Sequence, residues 1–171
     1  MRTSLLPFLL FGSLSLSATD RIVEEFGQPP AYANITSAVS AAVDGDRIII
    51  KNRAGNIPWI ENITVSASLE FLSYDNDSFF YVQGDYTITG ATGRDVTFVG
   101  MYNTAGDIQF ASGGTTRGTQ VHVIDGWFVN GSILMDSDQF EVDIIGCTLE
   151  SGVVDINFGN VVGCDIDGST V

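Results

Sequence analysis

Two stretches near the end of the chain read almost alike: Ile144-Ile145-Gly146-Cys147-Thr148-Leu149 and, 17 residues on, Val161-Val162-Gly163-Cys164-Asp165-Ile166. Two earlier stretches fit the same frame loosely, Phe98-Val99-Gly100-Met101 and Ile124-Asp125-Gly126-Trp127. A second glycine follows each of the four, at Gly106, Gly131, Gly152 and Gly168. The steps between the first glycines are 26, 20 and 17 residues, so the period drifts while the motif survives. A unit of about twenty residues cannot close its own apolar face and has to stack on copies of itself. The pattern predicts a solenoid with the aliphatic ladder Phe98, Ile124, Ile144 and Val161 inside.

The rest of the chain supports strands. Arg47–Lys51, Asn62–Val65, Leu69–Leu72, Phe79–Val82, Tyr86–Thr89 and Val96–Val99 are short and rich in β-branched or aromatic residues. Breaks at Asp44-Gly45-Asp46, Asn76-Asp77, Gly84-Asp85, Gly90 with Gly93, and Gly113-Gly114 bound them. One helix is expected, over Asn34–Val43, where Ile35, Ala38, Val39 and Ala42 share a face and Asn34 or Thr36 serves as N-cap. Its place ahead of the first strand suits a cap on the open end of the stack.

Composition excludes several classes. The chain has 171 residues, is 44% hydrophobic and contains 11 Phe, 5 Tyr and 2 Trp, too much apolar mass for a disordered chain. Seven Lys and Arg against 21 Asp and Glu give a net charge of −14, which leaves no basic footprint for nucleic acid. Met1-Arg2-Thr3 followed by the apolar run Leu5–Leu16 and the small residues Ser15-Leu16-Ser17-Ala18 reads as a signal peptide over residues 1–18. The expected product is secreted or displayed at the cell surface, carries a charge of −15, and has no membrane span once the signal is cut. On this reading residues 19–33 are an N-terminal extension and 34–171 the solenoid domain.

The run from Ile35 through Asp44-Gly45-Asp46 to Ile50 resembles the N-terminal cap and first strand of right-handed parallel β-helix proteins, the pectin-lyase-like superfamily, in its secreted bacterial form. Trp59–Val65 is similar to the entry to the second coil of that family, and Val96–Met101 to its recurring coil strand. The resemblance implies an all-β, right-handed parallel β-helix with a short N-terminal capping helix. It also implies an activity to look for, because lyases of this superfamily abstract a proton α to a uronate carboxylate, with Ca²⁺ held by clustered acids and an Arg or Lys as base. Here Asp143, Asp155, Asp165 and Asp167 are the calcium candidates, the only cofactor in view, and Arg94 and Arg117 the candidate bases. For a hydrolase the pair Asp165 and Asp167, two residues apart on one strand face, supplies the acids.

After Arg117 the chain has no Lys or Arg, so its densest run of acids has no cationic base. That favours a non-catalytic scaffold or binding module, contacting extracellular polysaccharide or a cell-surface protein, over a small or truncated polysaccharide lyase or hydrolase. Tyr74, Phe79, Phe80 and Tyr81 offer either an interior stack or a sugar platform, and Trp59 a packing anchor. His122, the only histidine, alternates with Val121 and Val123 and should face outward. Cys147 and Cys164 are expected one above the other, as thiols or as a disulfide across adjacent coils. Glycosylation acceptors occur at Asn34, Asn62, Asn76 and Asn130. From Val161 to Val171 the sequence reads as a coil that stops partway round. It predicts either continuation in a longer chain or an end covered by a partner, a second copy meeting it tail to tail.

Overall fold

The computed structural model describes residues 17–75, 79–111 and 117–168. Residues 1–16, most of the segment expected to be a signal peptide, the Asn76-Asp77 break with its acceptor asparagine, the Gly113-Gly114 break and residues 169–171 lie outside the described residues. The chain opens with β1 (Asp20–Val23) and α1 (Ile35–Ala41). Two full turns follow, made of β2 (Asp46–Ile50), β3 (Trp59–Ile60) and β4 (Ile63–Val65), then β5 (Leu69–Ser73), β6 (Phe80–Gln83) and β7 (Tyr86–Ile88). The third and fourth turns are β8 (Asp95–Val99), β9 (Met101–Asn103) and β10 (Ile108–Phe110), then β11 (Thr119–Ile124), β12 (Trp127–Phe128) and β13 (Ile133–Met135). The last are β14 (Phe140–Ile145), β15 (Thr148–Glu150) and β16 (Val154–Ile156), with β17 (Gly159–Val162) and β18 (Asp165–Asp167).

The result is an all-β parallel solenoid of about six turns. Its first sheet runs β1-β2-β5-β8-β11-β14-β17, its second β3-β6-β9-β12-β15-β18 and its third β4-β7-β10-β13-β16. Among the described residues the final strands β16, β17 and β18 each pair on one side only. No helix among them is long and apolar enough to cross a membrane.

The α1 helix forms where the sequence places it. Asn34 caps it by accepting from the Ser37 amide at 2.7 Å, and Glu61 from the next turn accepts from the Ile35 and Thr36 amides at 2.9 Å each. These contacts satisfy N–H groups that a helix start leaves without partners. Ile35, Ala38 and Val39 are buried, and the helix packs beside β4, the terminal strand of the third sheet. The cap is not the helix alone. Residues 19–33, expected as an extension outside the solenoid, contribute β1, which pairs in parallel with β2 from Asp20 opposite Arg47 to Val23 opposite Ile50. Val23 and Tyr32 are bridged as well, so strand and helix together complete a rung ahead of the first full turn.

Asp46 ties this rung to the next. Its carboxylate accepts from the Thr19 and Val43 amides at 3.0 Å each and from Arg21 Nε at 2.6 Å, and Arg21 also donates to the Tyr32 hydroxyl at 2.8 Å. Burial opposes ionisation of Asp46, but the hydrogen bonds from Val43, Arg21 and Thr19 outweigh it and hold the carboxyl below its ordinary value. A carboxyl whose pKa is lowered by folding adds stability that is complete above its unfolded value, near 4, and is lost as pH falls through the folded one. Asp46→Asn is therefore expected to destabilise the protein by about 3 kcal/mol at neutral pH. Its deficit should shrink as the pH falls below the ordinary carboxylate value, near 4, which urea melts of parent and variant across the acid range will check.

The core column on the first sheet corrects the sequence register at one coil. It runs Ile48, Phe71, Phe98, Val123, Ile144 and Val161. Ile124, expected inside, lines up instead with Val99, Ile145 and Val162 on the outer side of the strand. The cause is the corner. Gly100, Gly146 and Gly163 turn it with φ of 69°, 65° and 65°, and in the fourth turn that left-handed position belongs to Asp125, with φ 52°. Gly126 is the next residue inward, opposite Met101 and Cys147, so aligning the four motifs on their glycines shifts this coil by one. The second set of glycines is not equivalent throughout. Gly84, Gly106, Gly131 and Gly152 stack backbone on backbone, whereas Gly168 sits over Ser151.

Candidate functional site

Strand alternation divides the aromatic residues of the second sheet between core and surface. Phe80 points inward and is fully buried, while Phe79 and Tyr81 are half-buried on the outside. Tyr74 is 48% exposed beneath the Lys51 ammonium, 4.5 Å from its ring centroid. Tyr81 is opposite Tyr102 on β9, and Tyr102 is opposite Trp127 on β12. The three rings form an outward row along the solenoid axis, with centroids 4.9 and 5.5 Å apart. Phe79 meets Tyr102 and Trp127 edge-on at 5.8 and 6.2 Å, which brings the group to four rings. Tyr102 and Trp127 escaped the sequence reading. Their signal was the alternation after each corner, Met101-Tyr102-Asn103 and Gly126-Trp127-Phe128, which is clear only when the fourth coil is in register.

Past Trp127 the same row continues as Thr148 and Asp165. The parallel outward row, two residues further along each strand, carries Thr104, Val129, Glu150 and Asp167. Trp127 Nε1 donates to Glu150 Oε1 at 3.1 Å, fixing the indole against the following turn. Asp165 and Asp167 are exposed and share one face, as their spacing requires.

The other calcium candidates are elsewhere. Asp143 is on the outer face of the first sheet, where it accepts from Asn160 Nδ2 at 2.8 Å, and Asp155 is exposed on the third sheet. The four acids thus occupy three faces, and only Asp165 and Asp167 are brought together. No group of three His, Cys, Asp or Glu among the described residues is disposed to hold a metal ion. His122 does face outward, with Nε2 3.7 Å from Asp95 and Nδ1 3.5 Å from Asp143.

Neither candidate base reaches the second sheet. Arg94, between the third and first sheets, donates to the Thr89 carbonyl, to Thr89 Oγ1 at 2.6 Å and to the Ser66 carbonyl at 2.7 Å. Arg117, on the corresponding corner of the next turn, lies 3.6 Å from Asp138. The remaining described cations are paired too: Arg21 with Asp46, Arg47 with Asp20, Lys51 with Glu24 and Arg53 with Glu25. Of the acceptor asparagines, Asn34 caps the helix, Asn62 accepts from the Asp85 amide at 2.9 Å and Asn130 is exposed at a turn.

Cys147 and Cys164 occupy equivalent positions on successive turns, both as free thiols. Cys147 is buried, with Sγ 3.3 Å from the Val123 carbonyl, and burial pushes its pKa up to about 12. A thiol held that far from ionisation is a poor nucleophile. A disulfide reagent at neutral pH should therefore titrate one thiol, Cys164, quickly, and the second only after denaturant is added. Fast reaction of both in the folded protein would contradict the placement of Cys147.

Comparison with known protein families, curated proteins and solved structures finds no match, so the functional reading rests on the residues themselves.

Proposed function

We propose that the chain is an exported, non-catalytic binding module, a right-handed solenoid of the pectin-lyase-like kind, whose second-sheet face contacts extracellular polysaccharide. The observation that carries the reading is the outward row Tyr81, Tyr102 and Trp127, widened by Phe79. Pyranose rings present apolar C–H faces edged with hydroxyls, and aromatic side chains with polar tips suit both features. The successive turns lie about 4.8 Å apart, so the row offers a stripe of roughly 10 Å, enough for two or three sugar units. Support for a role without catalysis comes from the two arginines. Arg94 has its guanidinium committed to carbonyls, and Arg117 is on a different corner from the paired acids Asp165 and Asp167.

The test is mobility in native gels cast with soluble polysaccharides, with and without EDTA. One or more of the polymers should retard the parent protein, calcium removal should leave the retardation unchanged, and Tyr102→Ala or Trp127→Ala should weaken binding about tenfold. Incubation with uronate polymers and Ca²⁺ should leave the absorbance of unsaturated products at background. Product formation lost on replacing Arg94 or Arg117 would overturn the reading in favour of a lyase.

A further inference from the structure

We infer that the glycan taken by this face is an amine-bearing one, a polymer of protonated amino sugars, held where the aromatic row gives way to carboxylates. The inference rests on the polysaccharide-binding reading and narrows it. Trp127 is the last ring of the row. One side of it packs at a tilt against Tyr102, and the positions that follow in the next two turns, Thr148 and Asp165, carry no ring. In the neighbouring row Val129 is followed by Glu150 and Asp167. Three carboxylates are therefore placed within two turns of the terminal indole, one of them bonded to it.

Nothing cationic shares this end of the face. The chain has no Lys or Arg after Arg117, and the six described Lys and Arg up to and including it are engaged with other groups. A uronate polymer laid along the row would set carboxylate against carboxylate. A neutral polymer would gain the stacking and leave the charges idle. An ammonium group on the sugar beside Trp127 is attracted by Glu150, Asp165 and Asp167 and by the indole π face together. The overall charge of −14 adds a long-range pull on the same ligand.

The closing experiment compares a glucosamine hexamer with its fully N-acetylated counterpart by titration calorimetry, at mildly acidic pH where the amines are protonated. The backbones are the same and only the charge differs. The expected result is that the amine form binds about tenfold or more tightly than the acetylated form, and that added salt erodes the difference. Trp127→Ala should lose most of the affinity, and so should the exposed double variant Asp165→Asn with Asp167→Asn, whose fold is checked by its melting. If the acetylated hexamer binds as tightly, with the same dependence on Trp127, the amine inference falls while the polysaccharide reading stands. If neither hexamer binds and no polymer retards the protein in gels, both fall. If polylysine binds as tightly as the glucosamine hexamer and Trp127→Ala leaves affinity unchanged, the attraction is diffuse charge, and the inference is overturned.

Discussion

Ile144→Asp will abolish cooperative unfolding, while the neighbouring change Ile145→Asp will leave the melt close to that of the parent. Ile144 is fully buried in the column between Val123 and Val161, on a strand paired along both edges. Replacing it removes the stabilisation of a buried aliphatic side chain and inserts a carboxyl with no partner, a combined cost of about 5 kcal/mol or more. Domains of this size are stable by roughly 5–15 kcal/mol, so the loss takes most or all of the margin. Ile145 points outward and is 40% exposed, and an acid there stays in water at a cost of about 1 kcal/mol or less. The same pair of changes one turn earlier tests the corrected register: Val123→Asp should behave like Ile144→Asp, and Ile124→Asp like Ile145→Asp. Thermal melts followed by far-ultraviolet circular dichroism will distinguish them. A severe Ile124→Asp beside a tolerated Val123→Asp would put the fourth coil back on its glycines.

That one-residue slip shows what the sequence carried and what it did not. Strands were legible because apolar and polar residues alternate, and the helix because Ile35, Ala38 and Val39 recur at helical spacing behind an Asn cap. The corner was less legible, because the left-handed conformation it needs is tolerated by Asp as well as Gly, and Asp125 takes it in one turn of four. A glycine that looked like the corner, Gly126, was in fact buried against the Phe128 ring and Cys147. The candidate site depended on quantities that no local pattern supplies. Which acids meet is decided by the sheet each lands on, and turns of 17 to 27 residues spread Asp143, Asp155 and Asp165 over three sheets. The aromatic row has the same origin. Tyr81, Tyr102 and Trp127 are spaced unevenly in sequence and become neighbours only through the ladder pairing of β6, β9 and β12.

Gly131→Ala is the second large effect expected, about 3 kcal/mol, or roughly 6–12 °C in melting temperature. Gly84, Gly106, Gly131 and Gly152 form a column, and a Cβ at Gly131 would overlap the Gly106 carbonyl oxygen. Gly131 is outside the left-handed region, so the cost there is a steric clash and not a backbone preference. The obstacle is backbone fixed in two sheets, and it cannot swing aside as a side chain would. The Gly106 carbonyl also accepts from Asn103 Nδ2 at 3.0 Å, and Asn103 is fully buried, so pushing the carbonyl away leaves that amide only its longer bond, 3.5 Å, to the Gly84 carbonyl. Gly163→Ala provides the contrast. There φ is 65° with nothing near a new Cβ, and only the left-handed penalty of about 1–2 kcal/mol applies. If the column sets the spacing of the turns, Gly131→Ala should melt well below Gly163→Ala. Equal melting of the two would mean that the corner relaxes, and that close backbone stacking is not what spaces Trp127 from Tyr102.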